Sequence, residues 1–85
     1  MYTREEINEY VSVQSFSNHK THKSGPVVIY WGNKAYKVTH IGVHHTIREG
    51  RVLCHIFSVT DGSMYFKLKY DTETLRWKLE EIATE

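Results

Sequence analysis

Asp61-Gly62 stands between two runs in which apolar and polar residues alternate, Leu53 to Val59 on one side and Met64 to Tyr70 on the other. A strand turns successive side chains to opposite faces, so alternation of this kind marks a half-buried strand. Asp-Gly between two such runs is a hairpin signal, because a type I′ turn needs positive φ at both central positions. A two-residue turn there pairs Val59 with Met64, Phe57 with Phe66, His55 with Leu68 and Leu53 with Tyr70. One face of the hairpin is then apolar apart from His55 and has to be covered.

The same grammar extends in both directions. Gly32-Asn33 lies between Val27–Trp31 and Ala35–Val38. Glycine at the first central position suits a type II′ turn, which pairs Trp31 with Lys34, Ile29 with Tyr36 and Val27 with Val38. After Tyr70, a four-residue loop Asp71-Thr72-Glu73-Thr74 pairs Tyr70 with Leu75, Leu68 with Trp77 and Phe66 with Leu79. These registers gather Phe57, Phe66, Leu68, Trp77 and Leu79 on one surface, the expected core.

Between Thr39 and Gly50 two registers compete. A two-residue turn at Glu49-Gly50 faces His40, His44 and His55 to the core. A three-residue turn Arg48-Glu49-Gly50, with Gly50 left-handed, faces Ile41 and Val43 inward and requires a bulge or bend between Thr39 and Gly42. The second buries more apolar surface and is the preferred reading. At the start of the chain, Thr3-x-x-Glu6 has the form of a helix capping box, with Ile7, Tyr10 and Val11 at helical spacing. A short N-terminal helix is expected, with Val11, Val13 and Phe16 opening a first strand. Ser17 to Gly25 contains no large apolar residue and reads as a loop closed by Pro26.

A chain of 85 residues makes one domain. Residues 1–25 supply the helix, the first strand and the polar loop, and residues 26–82 the β meander. The expected fold is mainly β: a twisted antiparallel meander of five to six strands, curled into a small open SH3-like barrel. The single cysteine, Cys54, permits no internal disulfide and suits a reducing compartment. Neither a basic-then-apolar leader nor a run of about 18 apolar residues is present, so a cytoplasmic protein without a membrane partner is expected.

Trp31-Gly32-Asn33-Lys34-Ala35-Tyr36-Lys37-Val38 resembles the Trp-x-Gly-x-x-Tyr-x-Val signature of a family of small bacterial β domains of unknown function. Phe66-Lys67-Leu68-Lys69-Tyr70-Asp71, with Thr74, Trp77 and Leu79, is similar to that family's closing Tyr-x-Leu-x-x-Asp…Thr-Gly-x-Trp-x-Leu pattern. The resemblance covers roughly Pro26 to Ile82. It departs at Leu75, where the family carries glycine, and in the central hairpin, where the family is richer in tryptophan and arginine. Members also occur at the C-terminal end of some Y-family DNA polymerase-like proteins, so the resemblance implies a β fold and a link to nucleic acid by analogy. It brings no catalytic residue.

The formal charge is only +1, but the cations cluster. The registers set Lys67 opposite Lys78 and Lys69 opposite Arg76 on the outer face, beside Tyr65. Like charges directly opposed destabilise a sheet, so a cluster of this kind points to an anionic partner, and cations with stackable rings suit nucleic acid. Cys54 and Ile56 fall on the same outer face, where an exposed apolar pair is a candidate interface with another protein or a second copy of the chain. The six histidines match no standard metal spacing, and no metal or cofactor is expected. His55, on the apolar face, raises a third option, a small-molecule or metal site at the barrel end or under the polar loop. No glycine-rich phosphate loop, serine elbow or helical His-Glu pair is present. A non-enzymatic binding module is the expectation.

Overall fold

The computed structural model describes residues 3–21 and 23–84. Seven strands form one open antiparallel sheet: β1 (Thr3–Asn18), β2 (Lys23–Trp31), β3 (Lys34–Lys37), β4 (His40–Glu49), β5 (Val52–Thr60), β6 (Met64–Asp71) and β7 (Arg76–Thr84). Their order across the sheet is β3-β2-β1-β7-β6-β5-β4. No helix occurs among the described residues, and none is long and apolar enough to cross a membrane.

The expected N-terminal helix is therefore a strand. Three β-branched residues, Ile7, Val11 and Val13, pack against the core, and such side chains favour the pleated backbone. A helix of this length would gain little by itself, whereas β7 offers β1 a full ladder from Thr84 to Trp77. The count rises from five or six strands to seven for the same reason. The expected loop at 17–25 is largely strand as well, pairing Ser17 with Ser24 and Asn18 with Lys23. Its turn is held by the Asn18 carboxamide oxygen, which accepts from the Lys20 backbone N–H at 3.0 Å.

β1 shapes the sheet. Its first half, to Val11, pairs with β7, and its second half, from Ser12, pairs with β2. Two irregularities bend this corner. Between the Glu6–Glu81 and Glu9–Leu79 pairs, Ile7 and Asn8 stand against Glu80 alone, and Asn8 takes φ 52°, a conformation asparagine tolerates. Between Gln14–Val28 and Ser15–Pro26 the register shifts again, and buried Pro26 sits at that irregularity rather than at the start of the strand.

The bend brings β2 and β3 over the strands of the other half. Tyr36 on β3 meets Phe66 on β6 with ring centroids 5.2 Å apart. Gly25 on β2 lies so close to β4 that a Cβ would fall 2.6 Å from the Ile41 Cδ1 methyl. The Thr39 N–H donates to the Thr60 carbonyl at 2.9 Å, tying the β3–β4 connection to the end of β5. Ile29, Phe57, Val59, Phe66, Leu68 and Leu79 are buried between the two halves.

The Gly32-Asn33 hairpin has the expected pairs Trp31–Lys34 and Ile29–Tyr36, with Gly32 at φ 63°. The β5–β6 hairpin slips by two residues: Thr60 pairs with Tyr65, Phe57 with Leu68 and His55 with Tyr70. Asp61 causes the slip. Its carboxylate accepts from the backbone N–H of Ser63 at 2.9 Å and of Met64 at 2.8 Å, which stabilises a four-residue connection over a two-residue turn. The β6–β7 hairpin slips likewise, pairing Tyr70 with Trp77 and Leu68 with Leu79. Asp71 accepts from Glu73 N–H at 2.8 Å and Thr74 N–H at 3.0 Å, and Leu75 occupies the left-handed position at φ 59°. A two-residue slip preserves which face each side chain takes, so the expected core survives both.

The β4–β5 hairpin follows neither expected register. Glu49 pairs with Val52, leaving Gly50 and Arg51 in the turn, with Gly50 left-handed as expected. A bulge at Gly42 then lets both Ile41 and His44 face inward, opposite Val59 and Phe57, while Val43 stands 53% exposed on the other side.

Candidate functional site

The two halves of the sheet do not meet along their whole length. A cleft remains under the β1–β2 hairpin, and two imidazoles stand in it. The Gly42 bulge aims His44 from β4 at β5, where it stacks on Phe57 with centroids 4.3 Å apart and planes 7° from parallel. His55, next on that face of β5, lies with its Nδ1 2.8 Å from His44 Nε2. One nitrogen of this bond donates and the other accepts, so the pair holds together only while at least one of the two nitrogens is free to accept. Burial lowers the His44 pKa below the usual histidine range, and the neighbouring His55 and His45 lower it further. Beyond His55 the rings continue: Tyr70 lies 4.7 Å from Trp77, and Trp77 lies 5.5 Å from Phe57.

The cleft has two lobes. An aromatic lobe of about 280 Å³ is lined by Phe16, His55, Phe57, Tyr70 and Trp77, with the Ser24–Gly25 backbone as its roof. A second lobe of about 570 Å³ is bounded by Lys23, His40, Ile41 and His44, and shares Phe16 and Ser24 with the first. Among the described residues, no aspartate or glutamate lines either lobe. The bonded His44–His55 pair thus has one member in each. The sequence offered His55 as a core-face histidine. It offered His44 as well, through the two-residue Glu49-Gly50 register that was not the preferred one; the observed turn lies two residues from that register and keeps His44 on the same face. Phe16 was seen only as the end of a first strand.

The expected basic surface is rearranged. Lys67, Lys69, Arg76 and Lys78 do share the outer face, with Tyr65 49% exposed beside Lys67. The slipped register, however, sets Arg76 opposite Asp71, and a bulge at Glu80 sets Lys67 opposite Glu81, leaving Lys69–Lys78 as the one directly opposed like-charge pair of the cluster. Lys69 Nζ is bonded to the Glu49 carboxylate and lies 4.0 Å from Glu80, and its side chain is only 17% exposed. The hydrogen bond that Lys69 donates to Glu49 chiefly raises the Lys69 pKa, and the same bond lowers that of Glu49. Arg76 lies over the Tyr10 ring at 3.8 Å from its centroid, and Lys78 approaches the same ring at 6.0 Å.

Cys54 and Ile56 are not an exposed interface. They are 1% and 2% exposed. Ile56 lies directly opposite Lys69, and the Cys54 thiol donates to the Glu49 carboxylate at 3.8 Å. Burial raises the Cys54 pKa, and Asp71 and Glu49 add to that, so the thiol is far from a reactive thiolate. Its neighbour His55 points to the opposite face of the strand. No group of three or more metal-ligating side chains occurs among the described residues.

Comparison with known proteins gave no matching family model, no matching curated protein and no matching solved structure.

Proposed function

We propose that the chain is a non-enzymatic binding module that holds a small ligand in the two-lobed cleft between the β1–β2 hairpin and strands β4, β5, β6 and β7. One observation carries this reading: a hydrogen-bonded imidazole pair walled by aromatic rings in a concavity that no acidic group lines among the described residues. Binding sites combine apolar walls with a few convergent polar groups, and both are present here. Phe16 is 40% exposed and Tyr70 only half-covered, whereas the core rings and chains such as Phe66 and Leu68 are wholly buried. A library of small aromatic fragments, screened by ligand-observed NMR, tests the reading. Fragments are expected to bind the native chain and to lose binding in Phe16→Ser with its melting temperature within a few degrees of native. Equal binding by both proteins, or none by either, refutes the cleft.

Nucleic-acid recognition is the second reading, now centred on Arg76, Lys78 and Tyr10 with Lys67 and Tyr65 at the margin. The guanidinium stacked on exposed Tyr10 favours it, since cations beside exposed rings are what single strands use. Lys69 contributes little, being held by Glu49. Oligonucleotide binding that weakens with salt and disappears in an Arg76→Glu, Lys78→Glu chain would support this surface. Binding indifferent to those changes would remove it. Self-association, if it occurs, would use the open edge of β4 rather than Cys54 and Ile56.

A further inference from the structure

We propose that the cleft selects a planar aromatic ring carrying an anionic group on a short linker, with the ring in the Trp77 lobe and the anion in the Lys23 lobe. This rests on the cleft reading above and adds the ligand class. The ring follows from the first lobe, where Phe16, Tyr70 and Trp77 present faces and edges for offset stacking. The anion follows from the second, which brings the Lys23 ammonium, His40 and His44 to one space with no carboxylate among its lining residues. An ammonium and imidazole N–H groups give charge-assisted hydrogen bonds to a carboxylate or phosphate. The linker follows from the join. His44 lines the second lobe and His55 the first, and their rings stand 5.1 Å apart, centroid to centroid, so the lobes adjoin and a short linker spans their boundary. A neutral ring would leave the Lys23 lobe unused, and a lone anion would gain nothing from the aromatic one.

The experiment compares indole-3-acetate, adenosine monophosphate, indole and inorganic phosphate by isothermal titration at low salt. It uses the native chain, Lys23→Gln and His44→Phe. Lys23 is exposed, and phenylalanine at 44 retains the stack on Phe57, so both variants should keep the fold. At least one of the two aromatic anions should bind more than 10-fold tighter than indole and than phosphate, and each variant should reduce that advantage about 5-fold or more. Preference for indole-3-acetate identifies an aromatic carboxylate, and preference for the nucleotide identifies a nucleoside phosphate. Indole binding as tightly as both anions would overturn the ligand class while leaving the cleft reading intact. Absence of binding by all four probes at millimolar concentration would overturn the ligand class, and with the fragment screen also negative it would end the cleft reading.

Discussion

Replacing Leu75 by alanine and, separately, by glycine isolates the left-handed backbone of the β6–β7 turn. Leu75 has φ 59° and is 67% exposed. Both variants remove the same modest contacts, so packing cancels when they are compared with each other. A residue with a Cβ in the left-handed region costs about 1–2 kcal/mol. Glycine avoids that cost but loses more conformational freedom on folding, roughly 0.5–1 kcal/mol relative to alanine. Leu75→Gly should therefore be the more stable variant, by about 0.75 kcal/mol at the midpoints of those two ranges. For a domain of this size that corresponds to a melting temperature higher by a few degrees. Differential scanning calorimetry of the two proteins measures it. At an ordinary strand or turn position alanine would win, so the sign alone decides. Leu75→Ala matching or exceeding Leu75→Gly would refute the left-handed turn, and with it the register that places Lys69 opposite Lys78.

Leu79 is fully buried in the core, so Leu79→Ala should cost about 2–5 kcal/mol in urea unfolding, and a loss below about 1 kcal/mol would argue that the two halves do not close on it. Asp61 is partly desolvated, which alone would raise its pKa, but its bonds from Met64 and Ser63 outweigh this and hold it below the usual carboxylate range. The folded state therefore binds this proton more weakly, and Asp61 stabilises fully above its ordinary pKa. The contribution falls away as pH drops through the lower folded value. Asp61→Asn should remove that acid-side dependence, which thermal melts between pH 2 and 6 would follow, and an unchanged profile would contradict the turn. Cys54 should react with a thiol reagent only at the rate of unfolding, since burial both shields it and raises its pKa. Fast modification of the native protein would contradict its placement.

The apolar pattern made the sheet and most of its core legible, because alternation fixes faces even where loop length is misjudged. Phe57, Phe66, Leu68 and Leu79 are buried in a register two residues from the expected one. What alternation cannot reveal is a side chain that competes for backbone N–H groups. Asp61 and Asp71 each do so: Asp61 lengthens its turn from two residues to four, and Asp71 moves a four-residue turn one position along the chain, to residues 72–75. The N-terminal capping box is a local signal, and the pairing offered by β7 is a distant one that outweighs it. The candidate cleft was least legible. His55 stood out by its polarity on an apolar face, but His44 joins it in only one of the two registers the sequence allows, and Phe16 and Lys23 depend on how a hairpin folds over the sheet. The basic surface was visible as residues and wrong as pairs, because opposition across strands changes with every slip even when faces do not.

The most direct test of the cleft is a two-dimensional ¹⁵N–¹H NMR titration of the native chain with indole-3-acetate. Amide shifts are expected to concentrate at Ser17, Ser24, Gly25, His44 and His55 and to leave Tyr10, Arg76 and Lys78 unmoved. Shifts confined to Tyr10, Arg76 and Lys78 would contradict the account and move the binding surface to the basic outer face.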